Sequence, residues 1–329
     1  MSRRKNLTWA RALDTYETSL LARRASPLTI KTYLRDLALL QRLLKPLEPG
    51  QTRIEDLREA QVSLLTGEGT RSGRPAAPAS TARASAAWRG LFGFLAAEGL
   101  LSENPAGRLD LPKQPKRVPG DVLSEEEIQR LLMTPSETTP TGVRDRALIE
   151  LLYATGLRCG ELRDLDLADL DRQERLILGK SGKGEKGRVV PLTRSAFHRV
   201  NAYLGGVRAE LVSSGVAKSG QALAGKRGWR QADSLALFVS TRGNRISGVC
   251  LLKLLRKHAA SAAIEKKVSP HTLRRTFATH LLQRGADIRS IQLLLGHASL
   301  DTTSLYLGLD REELRRTLLL KHPRERFDV

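Results

Sequence analysis

Residues 271–282 have the sequence HTLRRTFATHLL, and residues 293–306 have the sequence LLLGHASLDTTSLY. Both lie in a region with helical spacing of apolar residues. His271 and Arg274 are three residues apart and therefore share one face of a helix. The second segment continues from its leucines into a Gly-His pair and ends in Tyr306. The two segments thus place a cation, imidazole groups and a phenol close together along the chain.

Two segments upstream carry residues of the same chemical kinds. The first, ATGLRCGEL at 154–162, places Arg158 after a Gly-Leu pair, with Glu161 one helical turn later. The second, GKGEKGRVVPL at 182–192, has Lys183 in a glycine-rich turn before a predicted strand. The residues of the four segments that are candidates for chemistry are Arg158, Lys183, His271, Arg274, His297 and Tyr306.

This combination suits phosphodiester transfer without a metal. Such a reaction needs fixed cations for the non-bridging oxygens, a nucleophile that approaches in line, and a proton for the leaving oxygen. The planar guanidinium group grips phosphate with two hydrogen bonds, so Arg158 and Arg274 are candidates for the cationic clamp. A phenol, with a pKa of about 10, is a weak nucleophile at neutral pH and needs this clamp and a nearby base. A covalent tyrosyl intermediate conserves the bond energy, so rejoining needs neither ATP nor metal.

The order and spacing of these motifs, over nearly the whole chain, resemble the tyrosine recombinase (phage integrase) family. Within that family they are most similar to the bacterial Xer recombinases, which resolve chromosome dimers. The resemblance implies a site-specific DNA recombinase with a 3′-phosphotyrosine intermediate and no metal or other cofactor. It implies these roles: Arg158 and Arg274 hold the scissile phosphate, Lys183 protonates the leaving 5′ oxygen, His271 is a general acid or base, His297 hydrogen-bonds the phosphate, Tyr306 is the nucleophile, and Glu161 is an accessory acid that orients the site.

Two of these assignments have rivals in the sequence. Lys180 lies in the same turn as Lys183, because the chain has GKSGKG where a single GK is usual; alignment on GKGEKGRVVPL selects Lys183. GKSGKG is not an ATP-binding loop, because that motif needs glycine at the position of Glu174. The rivals of Tyr306 lie on apolar helix faces, in an apolar run or in a helix without a motif: Tyr16, Tyr33, Tyr153 and Tyr203.

The net charge of +20 predicts a polyanionic partner. Residues 1–120 have 20 basic and 11 acidic residues, and residues 121–329 have 35 and 24, so both parts of the chain carry the excess. Nucleic acid is the most common such partner, and a general arginine-rich composition is the alternative. In the N-terminal part the candidate DNA contacts, which could equally be solvated, are Lys31, Arg35, Arg83 and Arg89.

Hydrophobic periodicity predicts a mainly α-helical protein with a small antiparallel β-sheet. Residues 1–108 are predicted to form a helical domain, 109–120 a proline-rich linker, and 121–329 a mixed α/β domain. The helices of the first domain are expected near 8–25, 26–45, 54–65 and 81–98. The resemblance implies a SAM-like core-binding domain, a catalytic tyrosine recombinase domain and closure of the two around DNA as a C-shaped clamp.

Within the second domain, strands are predicted at 174–179, 187–193 and 235–239, with a hairpin turn at 179–186. A helix is predicted at 195–213, and a mobile, glycine-rich insertion at 214–233. Residues 309–329 begin as an amphipathic helix. The pattern leaves open whether this helix packs on its own domain or docks on a neighbouring protomer; the resemblance favours exchange between protomers.

The resemblance also implies partners and a cellular role. The expected partners are a double-stranded recombination site and further protomers, as a homotetramer or with a second Xer recombinase, and a DNA translocase. The expected role is resolution of chromosome or plasmid dimers at cell division. Alternatives are a phage or transposon integrase, for which no arm-binding domain fits before the first helix near residue 8, a type IB topoisomerase-like enzyme, and a DNA-binding protein without catalysis.

Cysteine content and hydropathy limit the remaining classes. Cys159 and Cys250 are far apart in the sequence, which argues against a disulfide framework and a cysteine-based zinc site. Apolar runs do not reach membrane-spanning length, and the basic start lacks the apolar core of a signal peptide. The sequence therefore predicts a cytoplasmic protein that is not bound to a membrane.

Overall fold

A computed structural model describes residues 7–113, 120–179, 188–222, 235–296 and 309–325. The chain divides into two compact units, Met1–Val118 and Pro119–Val329. It is mainly helical with a small antiparallel sheet, which confirms the predicted fold class. Across the ranges just given, no helix combines the length and the apolar character needed to cross a membrane.

The first unit is a four-helix domain built around tryptophan and leucine side chains. Its helices are α1 (Trp9–Ala22), α2 (Pro27–Leu43), α3 (Ile54–Thr66) and α4 (Pro78–Ala97). Proline occupies the first turn of α2, where the missing N–H is not needed, and the Ser26 hydroxyl accepts a hydrogen bond from the backbone N–H of Thr29. Trp88 on α4 is fully buried, and its Nε1 donates to the backbone oxygen of Asp36 on α2. This contact ties the two longest helices together.

The second unit is built around α6, whose residues are buried on nearly every side from Gly142 to Thr155. Its helices are α5 (Glu125–Met133), α6 (Pro140–Thr155), α7 (Cys159–Asp164), α8 (Arg194–Ala202), α9 (Arg208–Ala222), α10 (Gly248–Ser261), α11 (Pro270–Gln283), α12 (Ile288–Leu295) and α13 (Leu309–Lys321). The α5 helix begins with the Ser124–Glu127 capping box, in which each side chain accepts from the other's backbone N–H. Helices therefore surround α6 and form the core of the unit.

The sheet has the antiparallel order β1 (Leu170–Asp171), β2 (Leu176–Gly179) and β3 (Arg188–Pro191). Ile177 pairs with Val190, and both side chains are fully buried, so one face of the ribbon lies on the core. The predicted strands at 174–179 and 187–193 are confirmed with shorter bounds. The predicted turn between them falls on residues 180–187, outside the described residues.

Two predictions for the second unit were wrong. Residues 235–239 do not form a strand; they make two isolated bridges, Asp166 with Ala236 and Val239 with Arg245. Their apolar character reflects burial, because Ala236 to Val239 are nearly inaccessible to solvent. The predicted helix at 195–213 is divided by a π-helical turn at Tyr203–Val207, where Gly206 has a φ of 147°. Helix α9 then continues to Ala222, so the first part of the predicted insertion at 214–233 is helical; residues 223–234 lie outside the described residues.

The C-terminal segment packs on its own unit in this single chain. Leu318 of α13 is fully buried. Beyond α13, Arg324 donates from Nε to Glu150, which has no exposed surface, at 2.7 Å and from Nη2 to Ser195 at 2.6 Å. Exchange of this helix between protomers stays a prediction.

Two histidines take structural roles in the core of this unit. His280, for which the sequence indicated a structural place in its helix, is buried with Nδ1 2.8 Å from the Tyr153 hydroxyl. His322 is also buried: Nε2 donates to the backbone oxygen of Tyr153, and Nδ1 accepts from the backbone N–H of Arg324, both at 3.2 Å. Burial lowers the pKa of His322 to about 3, because the charged imidazolium loses its hydration, and the nearby charge of Arg324 adds to this effect.

The second unit should therefore lose stability as the pH falls. Below the usual histidine pKa of about 6.5 the unfolded chain binds a proton that the folded chain excludes, so stability decreases from there towards pH 3. At pH 5, the exclusion of a proton from His322 should lower the free energy of unfolding by roughly 2 kcal/mol relative to pH 7. Urea unfolding at both pH values measures the difference, and His322→Gln should reduce it.

His198→Gln is the matched control, because His198 is exposed and its removal should leave the pH dependence unchanged. Equal losses of unfolding free energy in the wild type and His322→Gln would show that the buried imidazole does not cause the effect.

Candidate active site

Arg158 and Glu161 form a local unit at the junction of α6 and α7. Gly156 ends α6 with a positive φ of 59°, and Arg158 is the residue that caps the start of α7. Glu161 reaches back over this first turn: Oε2 accepts from the backbone N–H of Arg158, and Oε1 accepts from Arg158 Nη1, both at 2.8 Å. The Glu161 side chain is 5% exposed and the Arg158 side chain 42%. The carboxylate therefore holds one edge of a guanidinium group that remains open to solvent.

His271 and Arg274 begin α11, after the N-cap Ser269 and Pro270 in the first helical position. His271 is exposed, whereas Arg274 is buried. Arg274 Nη1 donates to the backbone oxygen of Gly156 and Nη2 donates to that of Leu295, both at 2.6 Å. The guanidinium group thus joins the C-terminal ends of α6 and α12.

Arg188, the first residue of β3, is a site residue that the sequence analysis missed. Its Nη1 donates to Glu161 Oε1 at 3.1 Å and to the backbone oxygen of Leu295, and its Nη2 lies 2.9 Å from Glu161 Oε2. The side chain is 9% exposed. The sequence feature that could have revealed Arg188 is the two-residue period of a strand. This period places Arg188 on the same sheet face as Val190, which is fully buried.

Three guanidinium groups therefore meet at the C-terminal end of α12. Arg188 and Arg274 bind the Leu295 oxygen, and Arg158 Nη2 donates to the Gly296 oxygen at 3.3 Å. Carbonyl groups at the end of a helix lack partners within the helix and carry partial negative charge, so cations stabilise them. The contacts fix the point at which the chain leaves α12. His297, Tyr306 and Lys183, with its rival Lys180, lie outside the described residues.

The cluster has more positive than negative charge. Among the described residues one carboxylate, that of Glu161, forms ion pairs within the cluster, and its partners are Arg158 and Arg188. Burial lowers the pKa of Arg274 to about 10, and the charges of Arg188 and Arg158 add to this effect. Burial likewise lowers the pKa of Arg188, which Glu161 partly offsets. An anion placed against this cluster would relieve the mutual repulsion of the cations.

The predicted DNA contacts of the first unit are all exposed: Lys31, Arg35, Arg83 and Arg89. Two of them share an anchor, because Arg83 Nε donates to Asp36 Oδ2 at 2.8 Å and Arg35 Nη2 lies 3.2 Å from Oδ1. Asp36 is buried, so it holds these two guanidinium groups side by side at the surface. Their role in binding DNA stays a prediction.

Comparison with known families matches both units. Residues 121–313 match the Phage integrase family, and residues 13–99 match the Phage integrase, N-terminal SAM-like domain. The chain is 38% identical over 308 residues to Tyrosine recombinase XerC of Myxococcus xanthus, covering 91% of this chain and 93% of that protein. It is 38% identical over 245 residues to Tyrosine recombinase XerD of Pseudomonas aeruginosa, covering 74% and 76%.

Solved structures share the fold. A DNA-bound lambda integrase fragment, residues 75–356, has a TM-score of 0.64 at 17% identity, covering 98% of this chain and 99% of that one. A lambda integrase tetramer bound to a Holliday junction has a TM-score of 0.63 at 17% identity, covering 91% and 77%. At this identity the similarity concerns the fold alone.

The end of α12 should not accept a side chain at position 296. Gly296 has a φ of 65°, and a Cβ there would lie 2.7 Å from Arg188 Nη1 and 2.8 Å from its Cδ. Gly296→Ala therefore combines backbone strain of about 1–2 kcal/mol with overpacking of about 1–3 kcal/mol. Urea unfolding of the full chain measures the loss of stability.

Gly285→Ala is the matched control, because its φ is 76° and its Cβ would make only an ordinary contact of 3.7 Å with Lys321 Nζ. Gly285→Ala should lose only the part of the unfolding free energy that comes from backbone strain. Equal losses for the two variants would mean that Arg188 gives way without cost.

Proposed function

The chain belongs to the phage integrase family of tyrosine recombinases, and from this membership we propose that it cuts and rejoins DNA through a 3′-phosphotyrosine bond formed by Tyr306. It is a site-specific recombinase of the Xer type, an assignment supported by identities of 35–41% to proteins named Tyrosine recombinase XerC or XerD.

The observation that carries the proposal is the excess of positive charge around Glu161. Among the described residues Arg158 and Arg188 pair with the Glu161 carboxylate, and Arg274 binds backbone oxygens, so three guanidinium groups and one carboxylate leave two positive charges in excess. A phosphodiester carries a single negative charge, and its pentavalent transition state carries two. A fixed site with this excess stabilises the transition state more than the ground state, which is what lowers a reaction barrier.

In the proposed step the Tyr306 oxygen attacks the scissile phosphorus while the bond to the 5′ oxygen breaks. The phenol proton passes to a base, for which exposed His271 is the candidate, and Lys183 gives a proton to the leaving 5′ oxygen. Arg158 and Arg274 hold the non-bridging oxygens, and His297 donates a further hydrogen bond to them. Glu161 orients Arg158. Reversal of the step, with the 5′ hydroxyl of another strand as nucleophile, rejoins the DNA.

The proposed partner is a double-stranded recombination site bound by several protomers. Four protomers would act on two sites, by analogy with the lambda integrase tetramer on a Holliday junction. The second pair of protomers is either this chain or a second Xer recombinase, and a translocase is a further proposed partner. The proposed role of the reaction is to resolve chromosome or plasmid dimers in the cytoplasm at cell division. A two-site recombination assay beside a supercoil relaxation assay separates this activity from that of a type IB topoisomerase.

Tyr306→Phe should abolish covalent capture of DNA and leave binding intact, because only the hydroxyl that attacks phosphorus is lost. The purified protein is incubated with fragmented chromosomal DNA of its own organism, including the region near the replication terminus. The DNA fragments that become linked to the protein are then sequenced. A nicked duplex with the recovered site then serves as substrate. Equal yields with and without EDTA are expected, because fixed cations hold the phosphate.

Tyr33→Phe is the control, since Tyr33 lies on α2 in the other unit. It should form the adduct at the wild-type rate. An adduct formed by Tyr306→Phe would identify another nucleophile.

Lys183→Ala should slow adduct formation about 10²–10⁴-fold, the range for loss of a general acid. Lys180→Ala, the matched variant in the same turn, should have a much smaller effect. A substrate with sulfur in place of the 5′ oxygen should restore the rate of Lys183→Ala, because a thiolate, with a pKa of about 8.5, leaves without a proton. If Lys180→Ala slowed adduct formation more than Lys183→Ala, Lys180 would be the residue that protonates the leaving 5′ oxygen.

A further inference from the structure

Arg188 is a buried cation that the proposed reaction does not use. It lies at the first position of β3, opposite Gly179 of β2, and its side chain is 9% exposed. One guanidinium group contacts both oxygens of Glu161 and the Leu295 carbonyl oxygen. These acceptors belong to α7 and α12, which are more than a hundred residues apart in the sequence.

Burial of this cation is costly, and its partners do not fully compensate. Its Nε is buried and, within the described part of the chain, has no hydrogen-bond partner. A buried ion pair of this kind often contributes little net stability compared with apolar residues of the same shape. What the pair supplies is geometry, because a planar guanidinium group can hold two acceptors at fixed positions at once.

The same side chain occupies the space beside Gly296. A Cβ at position 296 would collide with two atoms of Arg188, so the left-handed turn that ends α12 lies directly against its guanidinium group. This turn immediately precedes His297. Arg188 therefore limits the path of the backbone at Gly296.

We propose that Arg188 is a positioning residue for strand cleavage: it joins Glu161 to the end of α12 and so sets Arg158 and Arg274 at a fixed separation. Glu161 binds Arg158, and the Leu295 carbonyl oxygen is the shared acceptor of Arg188 and Arg274. Of the two predicted phosphate ligands, Arg158 is thus held through the Glu161 carboxylate, and Arg274 is held through the Leu295 carbonyl oxygen. The inference rests on the proposed function, because it concerns the same phosphate site.

The test compares the DNA dissociation constant with the single-turnover rate of adduct formation on the recovered nicked duplex. Arg188→Met should bind DNA about as tightly as the wild type and form the adduct about 10²-fold more slowly, the effect of a displacement of about 1 Å at reacting groups. Arg188→Lys keeps the charge but lacks the planar fork, and should recover part of the rate, to about tenfold below wild type.

Arg144→Met is the matched control. The Arg144 side chain is 6% exposed, donates to Asp145 and to the Val239 carbonyl oxygen, and so resembles Arg188 in burial and partners. Its loss should lower the melting temperature, with the adduct rate well below that temperature unchanged. A purely structural role of Arg188 would instead make the two methionine variants equivalent in rate.

Each outcome decides between the claims. Failure of the wild type to form any adduct overturns the proposed function and this inference with it. Normal wild-type adduct formation with an unslowed Arg188→Met, or with a loss of rate equalled by Arg144→Met, overturns the inference alone. If Arg188→Met does not fold, Arg188→Lys decides: a tenfold loss of rate at unchanged DNA affinity supports positioning, and the wild-type rate overturns it.

Discussion

The arrangement of the candidate active site depends on the hydrogen bonds and ion pairs of one buried group, the Glu161 carboxylate. It accepts hydrogen bonds from the backbone and side chain of Arg158 and from Arg188, which come from different parts of the fold. Without this negative charge, three guanidinium groups would face each other in a partly buried space. The carboxylate leaves an excess of positive charge that a phosphate can balance, and it fixes where the charges lie.

The ends of two helices complete this arrangement. Gly156 and Gly296 end α6 and α12 in the left-handed conformation, and the carbonyl oxygens at these ends accept from Arg274 and its neighbours. Helix ends with unpaired carbonyl groups are favourable places for cations. The arginines are therefore held by the backbone as well as by the carboxylate, which limits reorganisation when a phosphate arrives.

Hydrophobic periodicity was sufficient to predict the helices of the first unit and the two ribbon strands. Motif spacing selected Arg158, Glu161 and Arg274, which the structure brings together, while the roles of these residues and of His271 stay predictions. The sequence did not reveal Arg188, since an arginine beside a glycine-rich turn normally indicates a solvated position. The strand period puts Arg188 on the same face as Val190, and the packing of that face against the core turns the side chain inward. Residues 235–239 show the opposite error, because full burial produces the same apolar run as a strand.

The measurement that tests this account most directly is the Glu161→Gln variant on the recovered duplex, with DNA affinity and single-turnover adduct rate determined at one salt concentration. Removal of the negative charge should leave DNA affinity unchanged or raise it, because the site gains positive charge. The adduct rate should fall about 10²-fold, because Arg158 and Arg188 lose their common anchor. An adduct rate equal to that of the wild type, or parallel losses of affinity and rate, would contradict the central role of this carboxylate.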